Sequence, residues 1–458
     1  LLKIFKINKK NIHEEVRKIL KNKNNESRIK EIKNLKDKYP SIPKLQLLYA
    51  HLLDAAGKEE CFKEFEKYSN VLSKWKIKTG LVGFKTDFIS SNQFTGSLGC
   101  CFHIFSMIKA KEYNLLQYND NSLYSIKHFS QNFTSPALVE YFKKYIHIVN
   151  MEDNIIFNDL INFLELPIGM CLPMKQISPE MKIAHNSIMS YEKKNNLDFS
   201  FKLNNRHNEI GEKYLSKLGY SKESFIVTLH VRESGYHDET DGSEDFRNGD
   251  IFTYIPAIKH IISNGGIVFR MGDPSMKKTP RINGLVDYAN SAERSDILDV
   301  YLGAKSKFCI GTSSGYSMIP YMFDVPILFT NMGYMNDYFM LREKDYFIPK
   351  RIFNWEKDKF LSLEDMFTPP NSLAWANVKK IHKKLKINLI NNTEEELLSA
   401  SKEVINDVFN KKISIELDKN KIIKKATTSN IQKYTNIKVN SFGSIPNSFI
   451  EINPYLLK

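Results

Sequence analysis

The chain is short of the features that would place it in several large protein classes. Five cysteines in 458 residues, Cys61, Cys100, Cys101, Cys171 and Cys309, show no metal-ligand spacing, and neighbours such as Cys100 and Cys101 rarely bridge to each other. An odd, scattered set of thiols points to a reducing compartment. No run approaches the roughly 20 apolar residues that a membrane span needs, and no charged-then-apolar secretory leader is visible. A cytoplasmic location is therefore expected, with peripheral contact at the inner face of the cytoplasmic membrane left open. The net charge is +14, but no arginine-rich block or RNA-binding signature accompanies it, and the lysine excess is spread along the chain. That argues against nucleic acid and leaves an anionic substrate or surface. No Asp-x-Asp triplet is present to hold a divalent ion on a diphosphate, and no Gly-Lys-[Ser/Thr] or Gly-x-Gly-x-x-Gly loop occurs. If a phosphate leaves in this protein, arginines and helix ends are expected to stabilise it, with no metal.

What is present is ample core material: 42% hydrophobic residues and 12% aromatics over a length that suits two domains and an appendage. Residues 11–77 read as helical. Ile12, Val16 and Leu20 form one stripe, Leu45, Leu48, Tyr49, Leu52 and Ala56 a second, and Pro40 and Pro43 break the chain between them. Residues 43–68 look like one tetratricopeptide-type hairpin, which caps the next domain or docks a protein partner. Residues 80–84 open a new texture, with 88–92 predicted as strand, Gly96-Ser97-Leu98-Gly99 as a turn, and a helix through His103, Ile104, Met107, Ile108 and Ala110. Short apolar runs at 154–163 and 168–172 and a helix over 206–218 complete a first α/β unit over 80–219.

The second unit, 220–370, alternates more regularly. Residues 225–231, 267–270, 308–310 and 326–329 are apolar runs of the kind found in buried parallel strands, separated by helical patterns at 251–262, 296–304 and 315–322. This predicts a doubly wound parallel sheet. Residues 371–458 are read as basic helix over 375–409, with Lys379, Lys380, Lys383, Lys384 and Lys386 as a solvated face, then a tail that packs back on the body.

Three polar clusters fall at predicted strand ends, where open parallel sheets bind their ligands. In His230-Val231-Arg232-Glu233, residues 230 and 232 share one side of the strand, so Arg232 can hold a phosphate while His230 orients it. A structural salt bridge is the alternative. The loop from Glu233 to Asp250 offers His237, Asp238, Glu239, Asp241, Glu244 and Asp245 with Arg247 and Asn248. Any of its carboxylates could take a proton from an acceptor, although a solvated acidic loop and an N-cap role for Asp250 are the plainer readings. Arg270-Met271-Gly272-Asp273 puts a guanidinium in apolar surroundings, which requires a partner: Asp273, Asp299 or a ligand phosphate. Gly311-Thr312-Ser313-Ser314-Gly315 links strand to helix with small residues and hydroxyls, as an anion turn or simply a capped one. Gly96 and Gly99 occupy the matching turn of the first unit and would face the same cleft.

The series His230-Val231-Arg232-Glu233, Arg247-Asn248, Tyr254-x-x-Ala257-Ile258, Gly265-Gly266-x-Val268-x-Arg270-Met271-Gly272-Asp273, Asp287-Tyr288-Ala289, Asp299-x-x-Leu302 and the 311–315 turn resembles an uncharacterised bacterial family of glycosyltransferases from surface-polysaccharide clusters, within the fucosyltransferase-like superfamily. The resemblance covers roughly residues 80–345, with an echo at 442–457. It implies two Rossmann-like domains facing a cleft (the GT-B arrangement) behind the helical hairpin. It also implies an inverting, metal-independent transfer from a nucleotide-diphosphate sugar to a glycan acceptor. Arg232 would hold the departing phosphate, with Arg270 also on the diphosphate, and Thr312, Ser313 and Ser314 would contact it. Asp287 and Tyr288 would meet the base or ribose, and Glu233 or Asp238 would act as general base. The remaining donor-side residues are His230, Arg247, Asn248, Gly272, Asp273, Asp299, Gly311 and Gly315, and the acceptor side would carry Gly96, Gly99 and His103. A sugar-nucleotide epimerase or hydrolase, and a non-catalytic scaffold, are the alternatives.

Overall fold

The structure, a computed structural model, describes residues 9–22, 24–56, 58, 60–79, 88–116, 123–128, 130–151, 181–221, 225–233, 245–333, 335–367, 378–410 and 443–458. The expected features at 80–84, 154–163, 168–172 and 419–442 lie outside the described residues, as do His237, Asp238, Glu239, Asp241 and Glu244.

Four helices come first: α1 (Lys9–Lys21), α2 (Asn25–Lys38), α3 (Pro43–Ala55) and α4 (Glu60–Thr79). The apolar stripes predict no break between α1 and α2. Asn24 creates one, because its side-chain oxygen accepts the N–H groups of Glu26 at 3.0 Å and Ser27 at 3.2 Å and so starts a new helix. Pro43 opens α3, where its missing N–H costs nothing. Helices α3 and α4 pack as a hairpin, tied by the buried Gln46 amide, which donates to the Glu64 carboxylate at 2.7 Å and to the Glu64 carbonyl at 3.0 Å. No described helix is long and apolar enough to cross a membrane.

Two parallel sheets follow. The smaller has strands β1 (Phe88–Ile89), β2 (Leu123–His128) and β3 (Ile146–Met151) in the order 1-2-3. Helices α5 (Asn92–Thr95), α6 (Cys101–Glu112), α7 (Pro136–Phe142), α8 (Met181–Asn195) and α9 (Asn205–Lys217) belong to this half of the chain. The larger sheet has β4 (Phe225–His230), β5 (Gly266–Arg270), β6 (Leu285–Val286), β7 (Phe308–Gly311), β8 (Ile327–Met332) and β9 (Tyr346–Pro349), all parallel, in the order 6-5-4-7-8-9. The chain starts at the centre on β4, moves out through β5 and β6, then returns to the other side of β4 with β7. Strand order therefore reverses between β4 and β7, where His230 is in register with Gly311.

The helices of the larger sheet are α10 (Ile255–Ser263), α11 (Asp296–Lys305) and α12 (Met318–Met322). The pattern predicts one helix over 251–262, but residues 251–254 form a separate 3-10 turn and α10 starts at Ile255. Pro256 explains the break, since it has no N–H to give the Phe252 carbonyl four residues back. Gly265, at φ +82°, turns the chain from α10 into β5. The two halves are joined by buried polar contacts. His185 on α8 bonds Ser106 of α6 at 2.8 Å and Tyr321 of α12 at 2.7 Å. Asp296 at the start of α11 accepts from Ser135 at 2.5 Å and from the Ala137 N–H, so it anchors the first turn of α7.

Beyond β9 lie β10 (Arg351–Asn354), β11 (Lys359–Phe360), α13 (Leu363–Phe367), α14 (Val378–Leu385), β12 (Ile387–Ile390), α15 (Glu394–Asn410) and α16 (Asn447–Ile452). The helical expectation for 375–409 is thus corrected: Lys386, at φ +54°, ends α14, and Ile387–Ile390 pairs antiparallel with β10. In the terminal segment Phe449, Ile450 and Leu456 are buried, and Ser444 bridges Tyr346 in parallel.

Candidate functional site

At the reversal point three bonds donated by backbone N–H groups lace the strand ends together. The Thr312 N–H donates to the His230 carbonyl at 3.0 Å, the Arg232 N–H to Thr312 Oγ1 at 2.9 Å, and the Gly249 N–H to the Arg232 carbonyl at 2.9 Å. The end of β4, the turn after β7 and the segment returning at 245–250 are thereby one unit. Side chains follow the same lines. Arg232, half-buried, donates to Asn248 Oδ1, and Arg247 donates to the Ser313 carbonyl at 3.3 Å. Asn248 in turn accepts at its backbone carbonyl from Lys350 at 2.7 Å. Asp250 accepts from the Phe252 N–H at 3.2 Å, which makes it the cap of the following turn.

His230 is buried, its ring stacked on Tyr316 with centroids 5.4 Å apart and planes 19° off parallel. Burial pushes its pKa down to about 4, and the Arg270 guanidinium adds to the shift. The ring is neutral at physiological pH and can accept or donate a hydrogen bond without carrying charge.

Arg270 corrects the sequence reading. It is fully buried, and its partners are Glu233, at 3.0 Å, and Asp287, at 3.4 Å, neither Asp273 nor Asp299. Glu233 Oε2 also accepts the Lys277 N–H at 2.9 Å. Asp287 is committed too, since its second oxygen accepts from Thr279 and Asn290 at 3.0 and 3.1 Å. Tyr288 has no exposed surface, and its hydroxyl donates to the Ser295 carbonyl and accepts the Ser295 N–H. Asp287, partly exposed, and the buried Tyr288 thus brace the loop after β6. Asp273 turns inward on its own loop, accepting the Ser275 N–H at 2.9 Å, and Gly272 takes φ +142° beside it. Asp299 is half-buried on α11, and burial pushes its carboxyl up to about 7.

The turn itself holds its hydroxyls unevenly. Thr312 Oγ1 accepts the Arg232 N–H and keeps its own proton to donate, while Ser314 makes no capping bond with its side chain. Four buried polar atoms at these strand ends lack a partner among the described residues: His230 Nδ1, Glu233 Oε1, Arg270 Nε and Ser313 Oγ. Buried polar atoms are rarely left unpaired, so the cluster singles out these strand ends as a candidate ligand site. The Gly311-x-Ser313-x-Gly315 spacing is also that of the hydrolase nucleophile elbow, a strained turn whose serine works with a histidine. Ser313 has no positive φ, and no described histidine meets its hydroxyl.

The first-half glycine turn touches the 311–315 turn: a Cβ on Gly315 would stand 2.8 Å from the Gly99 amide nitrogen. Within the second turn, a Cβ on Gly311 would stand 2.5 Å from Ser317 Oγ. Gly96 is exposed, and His103 lies half-buried on α6 with its ring edge-on to Phe102 at 6.5 Å. Asp238, one of the two expected bases, lies outside the described residues. Lys350, at the end of β9, escaped the sequence reading. The rule that picked out His230 and Arg270, a polar residue closing an apolar run, also picks out Lys350 after Tyr346–Pro349.

No protein family matches the chain, and no curated protein matches it. Among solved structures, the chain is similar to the glycosyl transferase family 9 from Veillonella parvula DSM 2008, with 10% identity and a TM-score of 0.45 over 70% of this chain and 97% of that one. It is also similar to the bacterial iron-containing dodecameric glycosyltransferase TibC from enterotoxigenic E. coli H10407, with 12% identity and a TM-score of 0.33 over 71% and 76%. The E. coli heptosyltransferase WaaC with ADP has 9% identity and a TM-score of 0.26 over 65% and 97%.

Proposed function

We propose that the chain is a glycosyltransferase that moves a sugar from a nucleotide-diphosphate sugar to a glycan or other surface-polysaccharide acceptor. The observation that carries this reading is the gathering of Arg232, Arg247 and the 311–315 turn at the reversal point of a parallel sheet, with buried polar atoms there awaiting partners. In this reading residues 220–370 hold the donor, 80–219 approach with the acceptor, and the two face each other in the GT-B manner. The helical region 1–79 acts as a tetratricopeptide-like cap or docking module, and 371–458 closes on the body.

The diphosphate lies on the turn, with its oxygens toward Arg232, Arg247, the Ser313 and Ser314 hydroxyls and the neutral His230 ring. An acceptor hydroxyl attacks the anomeric carbon from the face opposite the diphosphate. The bond to the phosphate oxygen breaks, the configuration inverts, and the hydroxyl proton passes to a carboxylate. Charge that develops on the leaving diphosphate is carried by fixed donors, which act most strongly in a site that excludes water. Glu233 is held against Arg270 and serves first to fix that guanidinium. Its Oε1, unpaired among the described residues, and Asp238 are the proposed proton acceptors. No metal is assigned a role.

The test is a thermal-shift screen of the full chain against GDP, UDP, ADP and CMP and their sugar conjugates, repeated with Arg232→Ala. Ligand at about a hundred times its Kd adds roughly 2.7 kcal/mol of stability. One nucleotide family is expected to raise the melting point, and the shift is expected to vanish in the variant. Donor turnover should then require an acceptor. A flat response to all nucleotides overturns the reading, and turnover without acceptor assigns the site to hydrolysis or epimerisation.

A further inference from the structure

A cavity lies beside the strand-end turn. It has a volume of about 540 Å³ and opens between the 245–248 segment, the end of β9, helix α14 and strand β12. That volume is within the roughly 300–1,000 Å³ of small-molecule sites. From its lining we infer that it binds a sugar unit bearing a carboxylate or phosphate, as part of the glycan acceptor.

Three features of the wall carry the inference. Trp355, 52% exposed, offers an indole surface at the cavity, and the ammonium of Lys386 stands 5.8 Å from its centroid, fixed by an ion pair with Glu356. An exposed, anchored indole is a flat apolar platform with a polar rim, suited to the C–H face of a sugar ring. Asn388 and Asn391 present amides, which carry donors and acceptors together and so match hydroxyl groups. Among the described residues, Lys350 and Lys383 line the cavity with Asp245 as the sole carboxylate, so this wall favours an anion.

Lys350 strengthens the last point. It is 3% exposed, and two of its three ammonium donors go to the Asn248 carbonyl and Asn391 Oδ1, both at 2.7 Å. No described residue takes the third donor, which is available to an occupant. Burial also pulls Lys350 down to about 8 and His382 to about 4, so an anionic group would relieve the lysine while the histidine stays neutral. The sequence reads the 375–409 lysines as a solvated face; the structure puts Lys383 of that stretch on the cavity wall.

Position gives the occupant its role. Asn248 accepts from Arg232 with its side chain and from Lys350 with its backbone, so a single residue separates this cavity from the proposed phosphate arginine. Only the description of the occupant as acceptor rests on the glycosyl-transfer reading. The indole, the amides and the charge stand without it.

The test is a saturation-transfer NMR titration of the full chain with methyl β-D-glucuronide and N-acetylglucosamine 1-phosphate. Neutral methyl β-D-glucoside, UDP and GDP are run beside them, on the parent and on Trp355→Ala, Lys383→Glu and Arg232→Ala. Both substituted cavity residues are exposed, so the fold should persist. Both acidic sugars are expected to bind, with the neutral one weaker. Trp355→Ala and Lys383→Glu should each weaken the acidic sugars by roughly tenfold, the scale of one aromatic or charge contact. Arg232→Ala should leave them bound. Failure of both acidic sugars to bind the parent, or binding indifferent to both cavity variants, overturns the inference. Nucleotide binding lost in Trp355→Ala also overturns it and makes the cavity a base pocket. Loss or absence of nucleotide binding elsewhere bears on the glycosyl-transfer reading alone.

Discussion

Arg270 and Glu233 form a buried ion pair across the ends of β5 and β4, with Nη2 3.0 Å from Oε2 and almost no surface on either side chain. Asp287 flanks the guanidinium from the loop after β6, so three adjacent strand ends are tied by one cation. Glu233 directly follows Arg232, so the pair fixes the backbone next to that arginine.

Removing the cation should therefore unsettle the sheet before it affects any ligand. Arg270→Met leaves the buried Glu233 and the partly buried Asp287 without their cation, and breaking a buried pair from one side costs about 3–5 kcal/mol. A urea titration followed by circular dichroism should show the midpoint fall by a corresponding amount. Adding Glu233→Gln removes one stranded charge and should restore part of the loss. A midpoint equal to that of the parent would contradict the structural role of the pair.

The contact between the two glycine turns is asymmetric. A Cβ on Gly315 runs into the Gly99 nitrogen at 2.8 Å and Leu98 Cβ at 3.1 Å, whereas one on Gly99 meets Gly315 Cα at an ordinary 3.7 Å. Gly315→Ala should destabilise by about 1–3 kcal/mol, as overpacking does, and Gly99→Ala should be close to neutral. Thermal melts of the two variants side by side check this. Equal melting points would mean that the turns do not touch.

Asp299 should make stability depend on pH. Burial raises its carboxyl from 3.8 to about 7, with Asp296 adding to the rise and Arg294 opposing it. Between those values the folded chain keeps a proton that the unfolded chain has released. Stability contributed by that proton is present at the acid end, falls as pH rises through the window, and is gone above about 7. Asp299→Asn should flatten the fall, read from denaturation midpoints at pH 5, 6 and 7.5. A variant with the parent's slope would assign the dependence to another group.

Four strands of the larger sheet, β4, β5, β7 and β8, were legible in the sequence because they are short, continuous apolar runs, and the runs of β4, β5 and β7 lead into residues that do not belong in a core; β6 and β9 were not foreseen. His230, Arg270 and the 311–315 turn stand out for that reason. Pairing was not legible. Nothing in the residues around Arg270 distinguishes Asp273 and Asp299 from Glu233 and Asp287, since the choice depends on which strands become neighbours. The same limit hid β12: Ile387–Ile390 continues a helical-looking pattern, and only the left-handed turn at Lys386 and the partner strand β10 make it a strand. The cavity at Lys350 joins segments a hundred residues apart, beyond the reach of any periodicity.

The bridge between Ser444 and Tyr346 has a consequence for association. The Ser444 carbonyl accepts the Phe347 N–H at 2.9 Å, and the Ser444 N–H reaches the Asp345 carbonyl at 3.0 Å. This short pairing occupies hydrogen-bonding groups on the outer flank of the last strand of the six. Deprived of residues 443–458, that strand would offer unpaired amides and carbonyls beside an apolar run, the form of open edge that templates strand addition from another molecule. The terminal segment thus shields the sheet from self-association, and shortened chains should aggregate at concentrations where the full chain does not.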